Sequence, residues 1–205
     1  MVVLKKKKGT MSGYSVQGEQ FIEQGPKPSF WRAPTDNDIG AGFNTSLRKW
    51  RNAYDNASEV QGVVAKNTDG SVQVKFTTKL VDGEATHQQV FTVYGDGSIK
   101  VDNEFTAIKG KNPLLLRAGN DLVINKKFNT INWYGRGPGE NYWDRKTNTF
   151  IGQFKQSVDE QYYPYARPQE SGNKTEVRWV RFTNAKGKKI QFAFASCIFY
   201  IVKIY

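Results

Sequence analysis

The chain has 205 residues, 38% hydrophobic and 14% aromatic, so it makes one domain or at most two, with apolar side chains enough for a real core. A single Cys excludes an internal disulfide, and a single His excludes a His-rich metal site and leaves any triad chemistry to that one residue. The formal net charge of +11 raises nucleic-acid binding, but lysines cluster only at 5–8 and 186–189 with no RNA- or DNA-reading signature, so that partner is set aside.

Residues 1–19 read as a basic, solvated tail and a first strand, and 20–205 as one sandwich domain. The stretch from Phe30 to Gly40 reads as an ordered loop ending in a hinge-capable glycine. Pro34 lacks a donor N–H, and Thr, Asp and Asn prefer local turn hydrogen bonds. Apolar spacing from Leu47 to Ala53, with Asn44, Thr45 and Ser46 as cap candidates, predicts the one short helix.

Beyond it the pattern turns to period two. Strands are predicted over 71–80, 86–94, 98–105, 114–124, 129–134, 175–183 and 190–198, with Gly- and Asp-bearing turns at Asp82-Gly83 and Gly95-Asp96-Gly97. His87 falls mid-strand, as a surface or pairing residue, and Cys197 in an apolar last strand, as core. The hydrophobic run that ends the chain reads as a fold cut short, and as an edge where a second copy could pair. Many antiparallel strands at this spacing predict an all-β sandwich.

No stretch reaches the ~18 apolar residues of a membrane span. No apolar run follows the first lysines as a secretory signal requires, which favours the cytoplasm.

Three segments break the strand pattern: 30–40, 133–146 and 162–174. Each mixes Trp or Tyr with Arg, Asn and carboxylates, a composition of functional or interface loops. Two carboxylate pairs suit glycosidic chemistry by type, Asp36 with Asp38 and Glu140 with Asp144. Both pairs also have a structural use, in turn hydrogen bonds and in ion pairs with Arg136 and Arg145. Gly135-Arg136-Gly137-Pro138-Gly139 fails as a phosphate cradle because Pro138 removes a donor and no helix start follows. No ligand cluster supports a metal. By residues alone this is a β-sandwich with polar-aromatic loops, related to carbohydrate.

The three segments together resemble the C-terminal sandwich domain, or small subunit, of β-galactosidases of glycoside hydrolase family 2. The resemblance rests on Gly25-Pro26 and Phe30 to Gly40, on Trp133 to Pro138 with Glu140-Asn141-Tyr142 and Asp144-Arg145-Lys146, and on Tyr165, Arg167 to Glu170, Gly172-Asn173 and Val177-Arg178-Trp179. Gly139 and Trp143 depart from the family's larger polar residue and proline.

The resemblance implies an antiparallel supersandwich of the galactose mutarotase kind. It implies a place beside the active site of a retaining enzyme acting on terminal β-galactosides such as lactose. The catalytic glutamates, and Mg²⁺ and Na⁺ sites, would lie mainly on a (β/α)₈ barrel in other domains or a large subunit, so this chain alone would be inactive. Gly40 matches the family's hinge of a mobile loop, which makes Asp36, Asn37 and Asp38 its fixed base and Ala41, Gly42, Phe43, Asn44 and Thr45 its moving part. A galactose-stacking tryptophan of the family would fall beyond residue 205. Arg136, Glu140, Asn141, Asp144, Arg145, Glu170 and Asn173 are expected as a buried network or as sugar contacts. The alternative is a stand-alone carbohydrate-binding module.

Overall fold

The computed structural model describes residues 1–57, 59–107, 114–167 and 169–194. Among these are twelve strands in three antiparallel four-stranded sheets. The first sheet has the order β1 (Val2–Lys5), β2 (Thr10–Val16), β3 (Glu19–Ser29) and β8 (Gly119–Ile124). The second is β4 (Val60–Lys66), β5 (Val72–Leu80), β6 (Ala85–Val93) and β7 (Ile99–Ala107), a plain meander. The third is β10 (Phe150–Ser157), β9 (Thr130–Gly137), β11 (Trp179–Thr183) and β12 (Lys189–Ala193). The all-β sandwich expected from the alternation is what the chain forms.

All three sheets turn their apolar faces to one core. Met11, Phe21, Ile22 and Leu122 come from the first sheet, Val74, Phe76 and Phe91 from the second, and Ile131, Trp133, Val180 and Phe182 from the third. A second cluster gathers Phe30, Trp50, Ala53 and Tyr54 against Leu80 and Ala85, with Leu47, Phe105 and Leu115 packed on it. This cluster anchors both ends of the segment between β3 and β4 while leaving most of 40–46 exposed.

Several elements differ from the sequence reading, each for a local reason. The Phe30–Gly40 stretch is not all loop: Asp36–Gly40 is a short helix, α1, because Thr35 and Asp38 cap it reciprocally. The helix predicted over 47–53 divides into α2 (Phe43–Ser46) and a single 3₁₀ turn at Arg48–Trp50, so Asn44, Thr45 and Ser46 lie inside a helix and do not cap one. The lysines at 5–8 are no tail, since they turn the hairpin that pairs β1 with β2.

His87 is not a surface residue. It is 3% exposed, because Ala85, His87, Gln89 and Phe91 share the inward face of β6. Strands β3, β4 and β10 come without a sequence prediction, residues 1–19 hold two strands where one is predicted, and β9 runs on through Gly135-Arg136-Gly137. Lys186-Gly187-Lys188 turn the chain between β11 and β12. Cys197 and most of the predicted 190–198 strand beyond Ala193 lie outside the described residues.

Candidate functional site

The first polar-aromatic segment is built around Asp38. The Thr35 hydroxyl accepts the Asp38 N–H at 3.3 Å, and the Asp38 carboxylate accepts the Thr35 N–H at 2.8 Å. The Arg32 guanidinium donates to the same carboxylate at 3.0 Å, and its Nε donates to the Leu116 carbonyl at 3.2 Å. Asp38 is thereby buried and fully used. Asp36, in the same turn, is exposed and pairs instead with Arg167 at 3.2 Å. The two carboxylates do not face one site, which removes them as a catalytic pair.

Gly40 ends α1 with no atom within 4 Å of where a Cβ would sit. Gly42 is the residue with left-handed backbone, φ +72°, as it opens α2 without a side-chain cap. Ala41 and Asn44 are exposed and Phe43 half-buried, while Asn37 is exposed on α1.

The second and third segments interlock. Glu140 accepts the Gly172 N–H at 2.7 Å with one oxygen, and with the other meets the Tyr165 hydroxyl and the Arg145 guanidinium. Arg145 also donates to the Tyr165 oxygen at 2.9 Å. Next to Glu140, Asn141 is wholly buried. Its Oδ1 accepts both the backbone N–H (2.8 Å) and the hydroxyl (2.6 Å) of Thr175, and its main chain exchanges hydrogen bonds with Asn173 at 2.8 and 2.6 Å.

Arg136 turns away from this group. Its Nε meets Glu176 at 3.1 Å, and its Nη1 donates to the Thr149 carbonyl at 2.8 Å. Lys146 holds the other Glu176 oxygen at 2.7 Å. That hydrogen bond first, and the charges of Lys146 and Arg136 with it, keep the Glu176 carboxyl below its ordinary range. Asp144 is exposed and enters no ion pair among the described residues, so the ion pair expected for it with Arg136 or Arg145 does not form.

The first and third segments are joined directly by Asp36–Arg167 and indirectly through Arg117. Besides Asp36–Arg167, the buried Arg117 donates to Ser29 Oγ at 3.2 Å and to Asp121 at 2.8 Å, and lies 3.8 Å from Glu170. Sequence reasoning gave no role to Arg117, Thr175 or Glu176. For Arg117 a signal existed: an arginine directly after Leu114-Leu115-Leu116 needs acceptors wherever that run is buried.

Two titrations mark the network. Burial pushes the Lys174 amine down to about 8, against the pull of Glu140. Burial, then the charges of Glu140 and Glu170, push the Tyr142 phenol up, with the Asn173 backbone and the Arg145 charge opposing.

Chemically, the arrangement positions loops. Among the described residues no three His, Cys, Asp or Glu side chains gather in a metal-holding group, so no step is derived through a metal. No helix among them is long and apolar enough to cross a membrane. An open cleft of about 630 Å³, lined by Leu4, Tyr14, Val16, Val72, Val93 and Tyr94, shares no residue with the three segments.

A family model described as β-galactosidase small chain matches residues 1–201. The β-galactosidase of Priestia megaterium is 37% identical over 186 residues, which is 91% of this chain and 18% of that protein. That of Halalkalibacterium halodurans is 34% identical over 93% of this chain and 19% of its own length. That of Lactobacillus delbrueckii subsp. bulgaricus is 33% identical over 91% and 18%. The chain thus spans less than a fifth of these curated relatives.

Proposed function

The chain belongs to the β-galactosidase small-chain family, and we propose that it completes and gates a galactoside-binding active site whose catalytic groups lie in other parts of the enzyme. The reaction is hydrolysis of terminal β-D-galactosides such as lactose. The partner is the remaining β-galactosidase polypeptide, as further domains or as a large subunit. The Mg²⁺ and Na⁺ of the complete enzyme belong to that remainder, which also carries the retaining pair of glutamates.

One observation carries this reading: the three polar-aromatic segments are cross-braced to one another. Asp36–Arg167 ties the first to the third, Arg117 links Glu170 of the third to Ser29 at the foot of the first, and Glu140 ties the second to the third. The braced parts flank an exposed stretch, 40–46, held at its ends by the apolar cluster around Phe30 and Trp50. A rigid frame with an exposed segment between fixed ends is the construction of a gate. Asp36, Asn37 and Asp38 form its base, and Gly40 and Gly42 supply the backbone freedom for it to swing.

Asp36, Asp38, Glu140 and Glu170 are engaged in ion pairs or hydrogen bonds, and Asp36 and Asp38 do not face one site, which is why the chain alone is expected to be inactive. Purified chain should release no chromophore from a chromogenic β-galactoside, and should do so when combined with the remainder of a β-galactosidase. Hydrolysis by the chain alone, abolished by Glu140→Gln, would overturn the reading. Saturable lactose binding by the isolated chain in calorimetry would move it to a stand-alone carbohydrate-binding module.

A further inference from the structure

We infer that a chain of aromatic and guanidinium groups in contact, Tyr163–Tyr165–Arg145–Tyr142 with Trp143 next in sequence, is the surface on which the rest of the β-galactosidase polypeptide docks; this rests on the reading above and names the face through which it operates. The rings of Tyr163 and Tyr165 lie 4.6 Å apart. The Tyr165 hydroxyl meets Arg145 at 2.9 Å, and the Arg145 guanidinium lies over the Tyr142 ring at 5.4 Å. The Lys146 ammonium sits 3.7 Å from the Trp143 ring centroid. The groups form one continuous feature spanning two loops, braced from below by Glu140 and Asn141.

Its outer members are left uncovered. Trp143 is 68% exposed, Tyr162 72% and Tyr163 54%. Single exposed apolar residues need no explanation, but contiguous Trp, Tyr and Arg have the composition of an interface hot spot. These side chains are large and lose little entropy on contact, and Lys146 and Tyr165 already hold Trp143 and Tyr163.

The chemistry selects the occupant. The Trp143 indole N–H and the Tyr162 and Tyr163 hydroxyls make no hydrogen bond to any described residue, so the surface offers donors above an apolar layer. One face of Trp143 is taken by Lys146, and Tyr163 is set against Tyr165 at a tilt of 54°, so the feature is a packed cluster and not an open stacking platform for a pyranose. It suits a polypeptide surface that presents carbonyl and carboxylate acceptors among aliphatic groups. Such polypeptide exists in quantity: about four fifths of each relative lies outside the matched stretch.

The test uses the tagged chain co-produced with the part of the Priestia megaterium β-galactosidase outside the matched stretch, with co-purification and hydrolysis of a chromogenic β-galactoside as readouts. The wild-type chain should retain that polypeptide. The triple variant Trp143→Ala, Tyr162→Ala, Tyr163→Ala should lower retention and recovered hydrolysis at least tenfold. Its isolated circular dichroism and melting temperature should match the wild type, since the changed side chains are exposed. Val63→Ser with Val64→Ser, equally exposed on β4, should change retention less than twofold. Retention by the triple variant within twofold of wild type sinks the docking surface and leaves the proposed function standing. Absence of retention by the wild-type chain sinks both. A lactose-induced fluorescence change in the isolated chain, lost in Trp143→Phe, would assign the cluster to sugar and overturn the inference.

Discussion

The carboxylate of Glu140 accepts the backbone N–H of Gly172 at 2.7 Å, and this bond sets the spacing of two loops that are distant in sequence. Removing the side chain leaves that half-buried donor, the Tyr165 hydroxyl and the Arg145 guanidinium without their common acceptor. Glu140→Ala should therefore lower stability by about 2 kcal/mol in urea unfolding. Glu140→Gln keeps an acceptor for Gly172 but points an amide N–H₂ towards Arg145. Because that guanidinium is half exposed, the loss should stay under about 1 kcal/mol. Equal losses for the two variants would mean that charge, and not the Gly172 bond, carries the joint.

Asn141 should behave differently, because it has no route to water. Its Oδ1 serves two donors of Thr175 while its Nδ2 donates to the Gly139 carbonyl at 3.1 Å. Asn141→Ala strands the two buried donors of Thr175 and opens a void, for a loss on the order of 3 kcal/mol. Asn141→Asp should be nearly as costly, since it buries a charge and sets an oxygen against the Gly139 carbonyl. A variant of either kind within about 0.5 kcal/mol of wild type would show that the site relaxes to admit water.

How much of this was legible in the sequence depends on which signal each residue carries. Val74, Phe76, Ile99 and Val101 follow period two, and their strands lie close to where the alternation puts them. The helix α1 was legible but misread. Thr35 and Asp38 are spaced as a capping box, and the same residues that favour turns also start helices. Long-range partners such as Arg117 with Glu170, or Asp36 with Arg167, leave no periodic trace, because they are fixed by how the sheets stack. The lysines at 5–8 read as a tail because composition says nothing about the β2 strand waiting to pair with β1.

The two glycines of the exposed stretch should respond to alanine with opposite signs. Gly40 has an ordinary backbone at the end of α1 and free space at its Cβ position. Gly40→Ala should stabilise the chain by about 0.5–1 kcal/mol through helix propensity and a less flexible unfolded state. Gly42, at φ +72°, puts an alanine Cβ against its own carbonyl, so Gly42→Ala should cost about 1–2 kcal/mol. Amide exchange over 40–46 should slow in the first variant and quicken in the second. The same direction in both would remove the two glycines as separate hinge elements.

The buried His87 gives the chain an acid-sensitive stability with a defined window. Its ring stands edge-on to Phe30 at 5.6 Å and to Tyr54 at 6.3 Å, and its Nδ1 is buried with no hydrogen-bond partner among the described residues. Burial pushes its pKa down to about 4 from 6.5, with a hydrogen bond to Asn103 opposing the shift. In the unfolded chain the imidazole takes up a proton near 6.5, while in the folded chain it resists until about 4. Between those values the unfolded state binds more protons, so stability falls as the pH falls. The contribution is complete above 6.5 and gone below about 4, and amounts to on the order of 3 kcal/mol.

Carboxylates held low in the folded chain, such as Asp69, Asp96, Glu160 and Glu176, act further down, as the pH drops through and below their ordinary values of 3.8 to 4.5. The span from 6.5 to 4.5 therefore reports mainly on His87. Urea unfolding at half-unit steps across it should show a slope approaching one proton. His87→Leu should flatten the slope while keeping the apolar contacts with Phe30 and Tyr54. A slope unchanged by the substitution would place the titrating group elsewhere in the fold.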